Sequence, residues 1–263
     1  MRQYEYAALI HPLEKIADRA GQAIMAIYGE MAVTTQQKAD QSPVTNADLA
    51  AHHILVEGLR ALWPDCPVVS EEDASSWGYR QSSGRFWLID PLDGTREFLA
   101  KNGEFTVNIA LMDQGRSVLG VVYAPAIERM YWGGAGLGAF CRKSSASWQP
   151  VCVSPKGQHC RVVASRNSMN AETLAFIKRL GQTTLVQAGS SLKFCCIAEG
   201  TAEIYPRLAP TCEWDTAAAQ AVLEGAGGAV VDANEWQPLR YGKPETLNPF
   251  FVATCDMELI PHD

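Results

Sequence analysis

Three apolar runs in the first half of the chain, Thr106–Met112, Val118–Tyr123 and Arg129–Trp132, are separated only by short turns at Asp113-Gln114-Gly115 and at Pro125. A parallel pairing needs a crossover of about a dozen residues or more, so connections this short imply an antiparallel sheet. Two more strand-like runs precede them, Pro67-Val68-Val69 and Arg85–Ile89. Ahead of these, Leu9, Leu13, Ile16, Ala20, Ile24 and Ile27 recur in steps of three and four, which predicts an amphipathic helix over Tyr4–Tyr28. A polar stretch from Thr34 to Asn46 leads to a second helix, Ala47–Leu62, closed by Trp63-Pro64.

The pattern changes after Arg142–Gln149, which is polar and has no apolar period. Strands at Arg161–Ala164, Thr184–Gln187 and Glu203–Tyr205 alternate with helices at Ala171–Leu180 and Ser191–Glu199. A helix at Thr216–Glu224, a strand at Ala229–Asp232 and a run at Phe250–Ala253 follow. The expected organisation is an α+β unit over residues 1–145, with an antiparallel sheet and the candidate site, and an α/β unit over 146–263 that closes it. With 47% hydrophobic and 19% charged residues the chain can bury a sizeable core. A net charge of −7 argues against a nucleic-acid partner or an anionic membrane surface. An acidic chain that handles phosphate needs positive charge locally, and a bound metal supplies it. Charged residues interrupt the first 28 positions, so no secretory signal is expected, and no apolar run suits a membrane span. The eight cysteines fit no zinc spacing and read as reduced core thiols of a cytoplasmic protein.

The sharpest motif is Asp90-Pro91-Leu92-Asp93-Gly94-Thr95, directly after the apolar run ending at Ile89. A strand end followed by Pro and Gly predicts a tight turn on which two carboxylates converge. Converging, desolvated carboxylates need a cation at neutral pH, and hard oxygen ligands suit Mg²⁺. Asp and Gly are also common turn residues, which is the mundane alternative. Val68–Asp73 delivers a second group of acids at a strand end, with Glu71 the most fixed of them. Asp215 in Glu213-Trp214-Asp215-Thr216 and Asp48 in Thr45-Asn46-Ala47-Asp48 stand at helix starts, where a carboxylate serves equally as a cap. Gly189-Ser190-Ser191-Leu192-Lys193 opens another helix, whose N–H groups and lysine could bind an anion.

In this order and spacing, along nearly the whole chain, these motifs resemble the inositol monophosphatase superfamily. Gly94–Phe98, Asn102–Ala110 and Ala198-Glu199-Gly200 with Tyr205-Pro206-Arg207 are most similar to its CysQ-type 3′(2′),5′-bisphosphate nucleotidases. Inositol monophosphatases proper usually have Thr-Asn-Phe where this chain has Arg96-Glu97-Phe98. The resemblance implies a layered αβαβα sandwich, the sugar-phosphatase fold. It implies two or three Mg²⁺ ions on Glu71, Asp90, the Leu92 carbonyl, Asp93 and Asp215, and phosphate held by the backbone at Asp93, Gly94 and Thr95. Glu71, Leu92, Gly189, Lys193 and Asp215 complete the expected substrate contacts. The activity implied is hydrolysis of adenosine 3′,5′-bisphosphate, and of 3′-phosphoadenylyl sulfate, in sulfur assimilation, commonly with lithium sensitivity. One departure is Ser165-Arg166-Asn167-Ser168, where relatives of that type usually read Ser-Arg-Ser-His. It leaves open how the base or second phosphate is held.

Two metals ~3.5–4 Å apart can clamp an in-line displacement. On that scheme Asp90 bridges the pair, Glu71 completes the nucleophile side, and Asp93 with Asp215 serves the leaving group. Thr95, oriented by Asp48, accepts the proton of the attacking water or fixes its lone pair, and a metal-held water protonates the leaving ribose oxygen because no histidine is placed for that role. A third ion would sit near Glu71 and Asp48. A haloacid-dehalogenase mechanism needs two aspartates separated by one residue, whereas two intervene here. Inositol-1-phosphate or fructose-1,6-bisphosphate hydrolysis, and an inactive metal- or ligand-binding regulator, are the remaining alternatives. The sequence is compatible with a monomer or a homodimer, and the resemblance leaves room for peripheral association with the inner face of the cell membrane.

Overall fold

The computed structural model describes residues 2–30, 35–37, 43–154, 159–164 and 169–261. The expected first helix is two, α1 (Arg2–Ala7) and α2 (Ile10–Tyr28), separated by a turn in which the Leu9 N–H reaches the Tyr6 carbonyl. Tyr6 beside that turn is anchored by its hydroxyl to Asp113 at 2.9 Å, a tertiary contact that the helical period does not encode. Part of the polar stretch forms a small antiparallel pair, β1 (Thr35–Gln37) and β2 (Pro43–Thr45), which runs into α3 (Asn46–Leu62).

The first large sheet has seven strands in sequence order. They are β3 (Val68–Ser70), β4 (Arg85–Asp93), β5 (Thr106–Asp113), β6 (Arg116–Ala124), β7 (Arg129–Gly134), β8 (Gly138–Lys143) and β9 (Gln149–Val151). Only β3 and β4 pair in parallel; every later neighbour is antiparallel, as the short turns require. Short helices α4 (Tyr79–Ser82) and α5 (Thr95–Leu99) flank β4. The second sheet combines β10 (Cys160–Ala164), β11 (Thr183–Gln187), β12 (Ile204–Arg207), β13 (Ala229–Asp232) and β14 (Phe251–Thr254) in the order β11-β10-β12-β14-β13. Its helices are α6 (Ala171–Arg179), α7 (Leu192–Ala198) and α8 (Glu213–Gly225).

Alternation along β4 explains the layering. Trp87 and Ile89 face Leu13, Ile16, Leu55 and Leu59 of α2 and α3, whereas Phe86 and Leu88 face the interior of the molecule. That interior holds α7 and α8, whose small side chains Ala217, Ala218 and Ala219 admit close packing, and beyond them Val163, Tyr205 and Phe251 of the second sheet. On the outer face of the second sheet, Phe176 and Ile177 of α6 cover Val162, Ile204 and Val252. The result is the αβαβα sandwich. Strand β9 belongs to the first sheet although it lies past residue 145, so the change of sheet falls between residues 151 and 160. One hydrophobic cluster spans both sheets. All eight cysteines are free thiols. Among the described residues, no helix is long and apolar enough to cross a membrane.

Candidate active site

The two aspartates of the hexapeptide lie on one strand, not on a turn following it. Strand β4 continues past Ile89 to Asp93, and its register against β5 shifts between Asp90 and Asp93. Pro91 has no N–H for the ladder, so an irregularity here costs little and turns both carboxylates toward one end of the sheet. The chain then reverses at Gly94, with φ +89°, where a Cβ would lie 2.1 Å from Ser190 Oγ. Only glycine satisfies both the left-handed backbone and that approach.

Parallel pairing with β4 fixes Glu71 just beyond β3, its N–H donating to the Ile89 carbonyl at 3.2 Å. Asp215 arrives from the opposite half of the chain in the first turn of α8, which begins three residues earlier than the apolar period suggests. Glu71, Asp90 and Asp215 each place a carboxylate oxygen within 4.8 Å of the others. Asp90 is almost fully buried. Its burial, followed by the charges of Glu71, Asp93 and Asp215 and a hydrogen bond with Glu71, pushes its carboxyl well above the usual range. Burial, then Asp93 and Glu71, does the same to Asp215, against smaller opposing effects of the Cys212 N–H and Arg207.

Asp93 stands beside this triad. Its Oδ2 accepts the Ser191 N–H at 2.6 Å, and its carboxyl rises to about 6, chiefly through burial, with Lys193 and that N–H pulling the other way. The start of α7 therefore receives a carboxylate of the protein on one of the N–H groups expected to await an anion. Lys193 is buried, donates to the Ser190 carbonyl at 2.9 Å and lies 5.5 Å from the centre of the Tyr205 ring. Gly189 packs against Glu104, whose carbonyl would be 2.7 Å from an added Cβ; its lack of a side chain serves that contact.

Asp48 and Asp215 both cap their helices, and because a carboxylate has two oxygens each also makes a second contact. Asp48 Oδ2 accepts from the Thr45 N–H at 2.7 Å and its hydroxyl at 2.6 Å, while Oδ1 accepts from Thr95 Oγ1 at 3.3 Å. Asp215 Oδ2 accepts the Cys212 N–H at 2.8 Å, and the residue still joins the acidic triad. The Leu92 carbonyl lies 3.5 Å from Thr95 Oγ1. His52, one helical turn beyond Asp48, faces the same way, with Nδ1 2.8 Å from Ser70 Oγ. The sequence reading missed that histidine. It also did not foresee the partners of the Ser191 hydroxyl, held between Asn108 Oδ1 and Thr106 Oγ1, each at 2.8 Å. These contacts carry no local signal, since they join distant segments. The Ser165–Ser168 departure lies outside the described residues.

A cavity of about 200 Å³ opens beside Asp93 and Asp215, with Arg96, Lys193 and Arg207 among its lining. The donor set fits a hard divalent cation: mutually repelling carboxylate oxygens around a buried Asp90, whose repulsion such an ion converts to attraction. The sequence profile of the inositol monophosphatase family matches residues 5–253. The chain belongs to that family. Enzymes of the inositol monophosphatase family are generally Mg²⁺-dependent. The chain is 47% identical over 247 residues to the 3′(2′),5′-bisphosphate nucleotidase CysQ of Escherichia coli strain K12, covering 90% of this chain and 96% of that one. It is 46% identical over 250 residues to CysQ of Salmonella typhimurium, covering 91% and 97%. The crystal structure of CysQ from Bacteroides thetaiotaomicron, a bacterial member of the family, superposes with a TM-score of 0.83 at 36% identity, over 96% of this chain and 99% of that one.

Proposed function

We infer that the chain is a Mg²⁺-dependent 3′(2′),5′-bisphosphate nucleotidase that converts adenosine 3′,5′-bisphosphate to AMP and phosphate. The observation that carries this reading is the 47% identity to such an enzyme along nearly the full length of both chains. The cavity supports it, because three cationic side chains, Arg96, Lys193 and Arg207, suit a substrate with a second phosphate. The same cations would accept 3′-phosphoadenylyl sulfate. The enzyme so described is cytoplasmic and works as a monomer or homodimer.

Glu71, Asp90 and Asp215 would hold the metal, with Asp93 and the Leu92 carbonyl available to one or two further ions. When bound, Mg²⁺ supplies Lewis-acid polarisation of the phosphoryl oxygens and acidifies water. The chain's own groups then position the nucleophile. Thr95 Oγ1 directs its proton to Asp48 Oδ1, which leaves its lone pairs facing an attacking water. As the water oxygen bonds to phosphorus and the bond to the ribose 3′-oxygen breaks, the water proton passes to Thr95. The Thr95 proton moves to Asp48, and the ribose oxygen takes a proton from solvent. Asp48 is held for this by Thr45, so the relay is aligned before substrate arrives. Lys193, Arg96 and Arg207 orient the nucleotide.

Comparing kcat/KM for adenosine 3′,5′-bisphosphate, inositol-1-phosphate and fructose-1,6-bisphosphate tests the reading. A preference of at least roughly 100-fold for the nucleotide is expected. Equal or reversed preference would overturn it, and Mg²⁺ binding with no turnover of any ester would make the chain a regulator.

A further inference from the structure

Glu71 and Asp215 lie in segments of the chain far apart in sequence, and a metal site built on both needs their spacing fixed before the ion arrives. The residues directly preceding them are joined through one side chain. The Trp77 indole N–H donates to the carbonyl of Ser70 at 2.9 Å, and its ring lies 5.1 Å from that of Trp214, tilted by 36°. Ser70 precedes Glu71 and Trp214 precedes Asp215.

One residue before Trp214, a second link runs to Arg80, three residues after Trp77. Arg80 of α4 and Glu213 of α8 form an ion pair at 2.9 Å, with side chains 4% and 0% exposed. The loop after Arg240 closes over it: Glu213 also accepts the N–H groups of Gly242 and Lys243, each at 3.1 Å, and Lys243 Nζ at 2.6 Å. Arg80 donates to the Lys243 carbonyl at 3.1 Å. An arginine this deep has no part in the expected phosphate chemistry, and surface solubility does not explain it.

We propose that Trp77 and Arg80 are positioning residues, a clasp that sets the separation of Glu71 and Asp215 and thereby the affinity of the site for its divalent cation. The proposal rests on the ligand assignment above. Groups that hold ligands in place govern affinity because an ion bound to misplaced ligands must first reorganise them.

The experiment titrates Mg²⁺ alone into the full chain by calorimetry, below the unfolding transition of each variant. Near-ultraviolet circular dichroism of the same samples reports the indole pair. Trp77→Phe keeps an aromatic face against Trp214 and removes the donor to Ser70. It should raise the Mg²⁺ dissociation constant about 10-fold, the lower end for losing a group behind a metal ligand. Arg80→Met should do so by as much or more, with partial recovery in Arg80→Lys, which can still donate to Glu213. Tyr6→Phe removes a buried hydrogen bond far from the site and should lower the unfolding temperature while leaving Mg²⁺ affinity unchanged. The wild-type dichroism of the indole pair should be unchanged by Mg²⁺, because the clasp is set before the ion arrives; a change would overturn the proposal. A folded Trp77→Phe chain with the wild-type dissociation constant overturns the proposal, whether or not Arg80→Met folds. Asp90→Asn separates the two levels: if it binds Mg²⁺ normally, the ligand assignment itself is wrong, whereas if it does not bind while Trp77→Phe binds with the wild-type dissociation constant, only the clasp fails.

Discussion

Glu213 and Asp215 stand two residues apart in the first turn of α8, and their carboxylates occupy opposite environments. The two oxygens of Glu213 accept from Arg80 and from the backbone and side-chain nitrogens of the loop at Gly242 and Lys243. A carboxylate has about four lone-pair positions, so Glu213 is saturated by donors of its own chain. Asp215 accepts one backbone N–H and otherwise meets Asp90 and Glu71. Glu213 is the more deeply buried of the two, so burial alone does not mark a functional acid. What separates them is the supply of donors: the protein completes the first site internally, and the second is left to be completed by a cation.

The widest separation between the two sites should come from Asp90→Asn. We expect turnover to fall by roughly 10³-fold, about 4 kcal/mol at 1.36 kcal/mol per decade. Metal-free stability should hold or rise, because a repelling charge is gone; steady-state kinetics and a melt in chelator check both halves. Next is Glu213→Gln, which leaves the Arg80 guanidinium buried without its counter-charge. Denaturant unfolding in chelator should show a loss of ~3–5 kcal/mol. Were the two substitutions to shift metal-free stability in the same direction, the contrast between saturated and depleted acids would collapse. Thr95→Ala sharpens the division inside the second site. It should lower kcat about 100-fold with Mg²⁺ affinity unchanged, and an unaltered kcat would remove Thr95 from water activation.

The smallest expected effect is on pH dependence. Burial foremost, then Glu97 and Glu71, holds the Asp93 carboxyl at about 6, and burial raises Asp90 and Asp215 in the same direction, against ~3.9 in an unfolded chain. A carboxyl raised on folding contributes stability that is complete below its unfolded value and is lost as pH climbs through its folded value. The metal-free chain should therefore lose stability as pH climbs from about 4 through about 6. The Mg²⁺-loaded chain, whose acids are already ionised on the metal, should not. The gap between the two melting temperatures should widen with pH by roughly 3–5 °C. A constant gap would mean that metal uptake releases no protons.

Most of the frame was legible before any coordinates. Period-two and period-3.6 patterns are local, so the antiparallel run from Thr106, the helix ending at Leu62 and the alternating second half could be read directly. The mistakes fell where a long-range contact overrides a local pattern. The first helix is interrupted beside Tyr6, whose hydroxyl reaches Asp113, β8 and β9 extend the first sheet through a stretch whose polarity suggested a boundary, and Pro91 leaves β4 irregular rather than ended. The candidate acids were legible as well, since Asp90, Asp93 and Asp215 sit in short motifs with strong turn or cap chemistry.

Sequence by itself determined which residues are carboxylates, on which kind of element each stands, and to which family the motifs are similar. Tertiary structure alone decided which carboxylates share a centre, that Asp93 spends an oxygen on the start of α7, and that Glu213 is saturated while its neighbour two residues on is not. The physical reason is range. Propensity and hydrophobic period act over a few residues, whereas desolvation and the supply of hydrogen-bond donors are set by whatever the fold brings up from more than a hundred residues away.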